Sequence, residues 1–328
     1  MATALEEWEE LLTRTSQTTR DPADLIRHAG LNHHLEVALL ASPEQDWEFF
    51  LAYEKLAGLP IAQIHQEVLT QERKKHPLGY AQGILGLFNM RLLMRHVLAD
   101  HDLKDEGTAL INMQFFLGHK IYYPVLHTYD SLSDAVIDSC GDQYPDLRPY
   151  HFGHVQFIWQ EDHDHAMAHE AMEELFIRTL GWNFAEIPQR VRQSTFKQPL
   201  AYRATLEGLL GAYQKSPSKA VIDFLKRNRH AVVRQYFKDL QVYHFGRCAS
   251  GTWTDKKGGI NFPRARRALH ELFVETLHWT KDEIAEHTTA QLIKTTPIRY
   301  GAKLGGMLRV VYQDRSREAV TDYLRHVA

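Results

Sequence analysis

The feature that most constrains this chain is its similarity to itself. Residues 174–225 read ELFIRTLGWNFAEIPQRVRQSTFKQPLAYRATLEGLLGAYQKSPSKAVIDFL, and residues 271–324 read ELFVETLHWTKDEIAEHTTAQLIKTTPIRYGAKLGGMLRVVYQDRSREAVTDYL. Matched pairs include Leu175/Leu272, Phe176/Phe273, Trp182/Trp279, Ile187/Ile284, Pro199/Pro297, Gly208/Gly306, Leu210/Leu308, Tyr213/Tyr312, Ala220/Ala319, Val221/Val320 and Leu225/Leu324. The register needs only two single-residue shifts. A weaker copy lies upstream, where Tyr129 matches Tyr213 and Ala135-Val136-Ile137-Asp138 repeats Ala220-Val221-Ile222-Asp223. A spacing near 97 residues is too long for tetratricopeptide or ankyrin units, which run to about 33–34 residues. Each copy reads as a small multi-helix module.

The modules carry helix punctuation rather than strand alternation. Thr280-Lys281-Asp282-Glu283 is a capping box, and Asn183 with Glu186 makes the same pattern in the earlier copy. Thr288 with Gln291 opens a further short helix, and Pro199 or Pro297 breaks the chain before the next. Ser216-Pro217 is an N-cap followed by proline at the first helical position, and Ser316 caps the matching helix. Gly208 and Gly306 fall inside apolar helices, where close approach of another helix is the expected reason for glycine. The fold class expected is all-α. An acidic helical head (1–85) precedes a degenerate repeat unit (86–152), a second unit (153–245) and a third (246–328). Within the head, Phe49–Ala57, a Gly58-Leu59-Pro60 turn and Ile61–Leu69 outline a helix–turn–helix.

Composition excludes several classes. Hydrophobic residues at 44% and charged residues at 24% are ordinary globular values. No apolar run approaches the roughly 20 residues needed to span a bilayer, and the start MATALEEWEELL has no leader pattern. Cys140 and Cys248 are far apart, so neither a disulfide framework nor a cysteine zinc site is expected. A cytoplasmic location follows as the default. The net charge of −3 hides a polarity. Of 38 basic and 41 acidic residues, 22 and 12 fall in 201–328, leaving 16 and 29 in 1–200. Such asymmetry marks a candidate polyanion-binding half.

The recurring pattern of Trp, Leu-x-Trp, Glu-Ile, Leu-x-Gly-Met-Leu and Ser-x-x-x-Ala resembles an uncharacterised tandem helical-repeat family of Firmicutes and their mobile elements. Its units often end in a Tyr-Pro-x-x-x-Pro-aromatic-x-Phe motif, which Tyr144-Pro145-Asp146-Leu147-Arg148-Pro149-Tyr150-His151-Phe152 fits. The second unit departs from that motif, with Lys226-Arg227-Asn228-Arg229 in its place. The resemblance covers about residues 90–328 and implies a helical repeat in a bacterial setting, without an established activity.

Three site readings follow. The first is nucleic-acid binding, most readily to double-stranded DNA. It would use helix-turn-helix-like modules and the cations Arg203, Lys215, Lys219, Lys226, Arg227, Arg229, Arg234, Arg299, Lys303, Arg309 and Arg315. The second is a protein-interaction scaffold, with residues 1–85 as a contact for a protein partner. The third is a helical metalloprotein at the His151–Glu173 cluster, where Glu161, His165 and His169 at i, i+4 and i+8 would share one helical face. The matching stretch Ile260–His270 contains no ligand cluster, which weighs against the metal. No serine elbow, phosphate loop or dinucleotide fingerprint is present, so neither enzyme activity nor a cofactor is expected.

Overall fold

The computed structural model describes residues 46–77, 80–81, 83–152, 156–159, 162–245, 250–255 and 258–326, with residues 6, 10, 13 and 14. The chain is all-α. Among the described residues there is no β-strand, only an isolated antiparallel bridge between Thr254 and Ile260. The chain divides into two compact units, residues 1–152 with 201–204, and residues 153–200 with 205–328.

In unit 1 the helices are α1 (Asp46–Leu69), α2 (Gly83–Leu98), α3 (Leu103–Glu106), α4 (Met113–Gly118), α5 (Tyr122–Thr128) and α6 (Leu132–Cys140). The helix–turn–helix outline expected at 49–69 is instead one helix, with Pro60 inside it. Pro60 lacks the N–H that would bond the carbonyl one turn back. The helix continues because Phe49, Tyr53, Ala57, Ile61, Ile64 and Val68 are all buried, three or four residues apart on both sides of the proline. This face packs on α2, and one core runs from Phe49 to Phe152. The boundary expected near residue 85 falls inside that core. Tyr53 donates to Asn89 Oδ1 at 2.8 Å and Asn89 Nδ2 donates to the Tyr80 carbonyl at 2.9 Å, so these buried polar groups are satisfied. Cys140 lies in the same core, where burial pushes its thiol up to about 12.

Unit 2 holds α7 (Ala166–Glu173), α8 (Ile187–Arg190), α9 (Leu209–Ala212), α10 (Pro217–Lys226), α11 (Ala231–Tyr236), α12 (Phe262–His270), α13 (Lys281–His287), α14 (Ala290–Thr295), α15 (Gly305–Tyr312) and α16 (Ser316–His326). Matched residues adopt matched conformations. Both α7 and α12 run into a π-helical turn, Glu174–Thr179 and Glu271–Thr276. After each, a residue with positive φ (Gly181 at 64°, His278 at 56°) reverses the chain. The following tryptophan then stacks on a buried phenylalanine: Phe176–Trp182 at 5.8 Å and 10°, Phe273–Trp279 at 6.3 Å and 9°.

The N-cap of α14 is Thr289, whose hydroxyl accepts from the Leu292 N–H, and not Thr288, which instead donates to the Ile284 carbonyl of α13. Gly306 does not mark a tight helix crossing, because a β-carbon there would meet only Trp253 Nε1, at an ordinary 3.8 Å.

Candidate functional site

The predicted cations fall into two groups. Arg227 pairs with Asp223 at 3.3 Å, Arg229 with Glu173, Arg299 with both Asp239 and Glu275, and Arg315 with Glu318 at 2.7 Å. Arg234 donates to the Asn228 and Arg229 carbonyls, and Lys219 to Gln214. Lys215, Lys226, Lys303 and Arg309 make no ion pair with a described residue, and all but Lys226 are exposed. Arg203 is exposed too, but it belongs to unit 1, where its Cβ would lie 3.0 Å from a β-carbon on Gly107.

Two helical hairpins organise the second group. The link from α9 to α10 passes through Gln214 and Lys215 with φ of 56° and 57°; the link from α15 to α16 passes through Gln313 and Asp314 at 52° and 63°. Each turn ties back into the preceding helix: Lys215 N–H to the Leu210 carbonyl at 2.7 Å, and Asp314 N–H to the Leu308 carbonyl at 3.1 Å. On α16, Ala319, Val320 and Tyr323 are buried while Arg317, Thr321 and Arg325 are exposed at i, i+4 and i+8. Arg325 was not among the residues singled out from the sequence. Its signal is the four-residue spacing from Arg317 and Thr321, legible once the helix end is known.

The histidine cluster is rearranged relative to expectation. His165 has φ of 61° and stands before α7, so it does not continue the helical face that carries His169; Glu161 lies outside the described residues. Asp162 accepts from the Met167 and Ala168 N–H groups at the start of α7. The two imidazoles turn instead to Asp223. Its Oδ2 accepts from His165 Nδ1 at 2.7 Å, His169 Nε2 at 3.0 Å and the Tyr213 hydroxyl at 2.9 Å. Burial opposes ionisation of Asp223, but the bonds from His169, His165 and Tyr213 outweigh it and hold the carboxyl well below the usual carboxylate range.

Asp223 has counterparts. Asp138 accepts from the Tyr129 hydroxyl at 2.6 Å and from Arg91 Nε and Nη2 at 2.7 and 2.8 Å. Asp322 accepts from Tyr312 at 2.7 Å and from Arg266 Nε and Nη2 at 3.0 and 2.7 Å. Only at Asp223 is the bidentate arginine replaced by histidines. Beside it opens a cavity of about 330 Å³, lined in part by His169, Arg178, Phe224, Arg227, Asn228 and Arg229.

A second buried histidine is fixed by the backbone. His244 Nδ1 accepts from the Gln241 N–H at 2.9 Å, which leaves Nε2 as the donor to Glu271 at 2.8 Å. Tyr243 and the Arg299 N–H also donate to Glu271. His151 repeats the first contact, accepting from the Arg148 N–H at 3.0 Å.

In unit 1 the sequence reading missed a group of four histidines. His65, 1% exposed, has ring centroids 6.0 Å from His76, 5.7 Å from His96 and 6.4 Å from His119, and neither of its nitrogens has a hydrogen-bond partner among the described residues. These residues come from four separate segments, so no sequence spacing announces them. Among the described residues no group of three histidine, cysteine, aspartate or glutamate side chains could hold a metal ion, and no helix is long and apolar enough to cross a membrane. Cys248 lies outside the described residues. Compared with known proteins, the chain matches no family model, no curated protein and no solved structure.

Proposed function

We propose that the chain binds double-stranded nucleic acid through unit 2, with α15 and α16 as the contacting hairpin. The observation that carries this reading is the exposed Arg317–Thr321–Arg325 face of α16, whose arginines make no ion pair with a described residue. A second helix after a turn of about three or four residues is the element that enters a major groove in helix-turn-helix readers. Two guanidinium groups one turn to either side of a hydroxyl suit phosphate and base-edge contact. Arg309 and Lys303 add unpaired charge on and just before α15. The resemblance to repeat proteins of bacterial mobile elements fits such a role and names no target.

A mobility-shift titration with random duplex at low and moderate salt tests the proposal, comparing wild type with Arg317→Glu/Arg325→Glu. Binding that weakens with salt and is lost in the variant supports it; no shift, or a shift unchanged in the variant, overturns it. Arg299 is a poor choice for this test, because its ion pairs to Asp239 and Glu275 and its backbone bond to Glu271 tie it to the fold.

The scaffold reading is favoured by one observation. α11 exposes Val232 at 82% and Tyr236 at 56%, beside each other one turn apart.

A further inference from the structure

The Asp223 region differs from its two counterparts in a way that leaves a built cavity. Asp138 and Asp322 are each closed by a bidentate arginine, Arg91 and Arg266. At the place of that arginine the Asp223 site has His169, whose shorter side chain reaches Asp223 with one nitrogen and lines the cavity. The space of about 330 Å³ is at the lower end of the range for small-ligand sites, about 300–1,000 Å³.

Its walls present donors. Arg178, on the π-helical turn, is exposed and makes no ion pair with a described residue. Arg227 reaches Asp223 through one long contact of 3.3 Å, so most of its guanidinium donors are uncommitted. Arg229 is shared with Glu173, and Glu170 is a further acidic wall residue. Asn228 is the second, independent pointer. It is 2% exposed and lines the cavity; its Oδ1 accepts from the His230 N–H, while its Nδ2 has no partner among the described residues. That amide N–H is therefore left to donate to whatever occupies the cavity.

We propose that this cavity binds a small phosphate monoester, the phosphate held by Arg178 and Arg227, with Asn228 Nδ2 donating to a ligand oxygen. Guanidinium groups match phosphate oxygens in paired hydrogen bonds. Phe224 supplies an apolar wall for the organic part of the ester.

Isothermal titration of the full chain with inorganic phosphate, adenosine monophosphate and adenosine tests this. Expected is saturable binding of adenosine monophosphate, weaker binding of phosphate and none of adenosine. Affinity should fall at least about tenfold in Arg178→Glu, an exposed position outside the core. Asn228→Asp keeps the acceptor for His230 and replaces the donor with a repelling oxygen, so it should lose binding as well; a thermal melt shows whether it folds. If no phosphate-bearing probe binds at millimolar concentration, or if both folded variants bind as wild type does, the site is not a phosphate site. Tighter binding of adenosine than of its monophosphate also overturns it. Duplex binding by α16 and phosphate binding at the cavity fail separately, because Arg317 and Arg325 do not line the cavity.

Discussion

His169 Nε2 donates to Asp223 at 3.0 Å, where the corresponding Asp322 is gripped at both oxygens by Arg266. One aspartate position thus meets two chemistries within unit 2. In one it is a closed ion pair; in the other it is a carboxylate ringed by imidazoles, a tyrosine hydroxyl and a cavity.

Asp322→Asn is expected to destabilise unit 2 by about 1–3 kcal/mol, because one Arg266 donor and the Tyr312 hydroxyl lose a charged acceptor in a partly buried site. Urea unfolding at neutral pH measures it. The effect also has a pH sign. Burial opposes ionisation, but bonds from Arg266 and Tyr312 hold Asp322 below its ordinary value, as their counterparts hold Asp223. Both carboxylates therefore contribute stability above the ordinary carboxylate range, and it is lost as pH falls below about 4.

Unit 1 should lose stability at a higher pH. Burial, with repulsion from His76, His96 and His119, brings His65 down to about 4, and burial with Arg73 does the same for His76. The unfolded chain takes up protons near its ordinary histidine pKa of about 6.5, so stability declines as pH falls from there towards 4. For His65 alone the span corresponds to about 3 kcal/mol. His65→Phe should be at least as stable as wild type at pH 7 and less sensitive to acid, read from melting temperatures at pH 7.5, 6 and 5. A variant as acid-sensitive as the parent would place the effect elsewhere.

Gly306→Ala is expected to be neutral or stabilising by up to about 1 kcal/mol, from lowered unfolded-state entropy. It sits in α15, and its β-carbon would lie 3.8 Å from Trp253 Nε1. A loss above 1 kcal/mol in denaturant unfolding would show a crossing that the geometry does not contain.

If duplex binding runs through α16, the slope of log affinity against log salt should shrink by about two when Arg317 and Arg325 are both replaced by glutamine, one for each phosphate contact. A fall in affinity without a change of slope would point to base contacts alone.

The amino-acid sequence by itself determined the helices and where several of them start. Ser216 accepts from the Lys219 N–H at the start of α10 and Thr280 pairs reciprocally with Glu283 at the start of α13; Asn183 pairs with Glu186 in the same way, but in the turn before α8, which begins at Ile187. Such bonds form between chain neighbours, so local spacing is enough to reveal them. Pro60 shows the limit of local reading: the residue suggests a break, but the packing of α1 on α2 overrides it. Only the tertiary structure decided which charges are free. Arg229 finds Glu173 across 56 residues, Arg266 finds Asp322 across 56, and His165 finds Asp223 across 58. Charge counts in the sequence sum these groups without their partners. Whether a cation is held by a carboxylate or left facing solvent depends on which helix faces are packed together, and that is settled by burying apolar residues far apart in the chain.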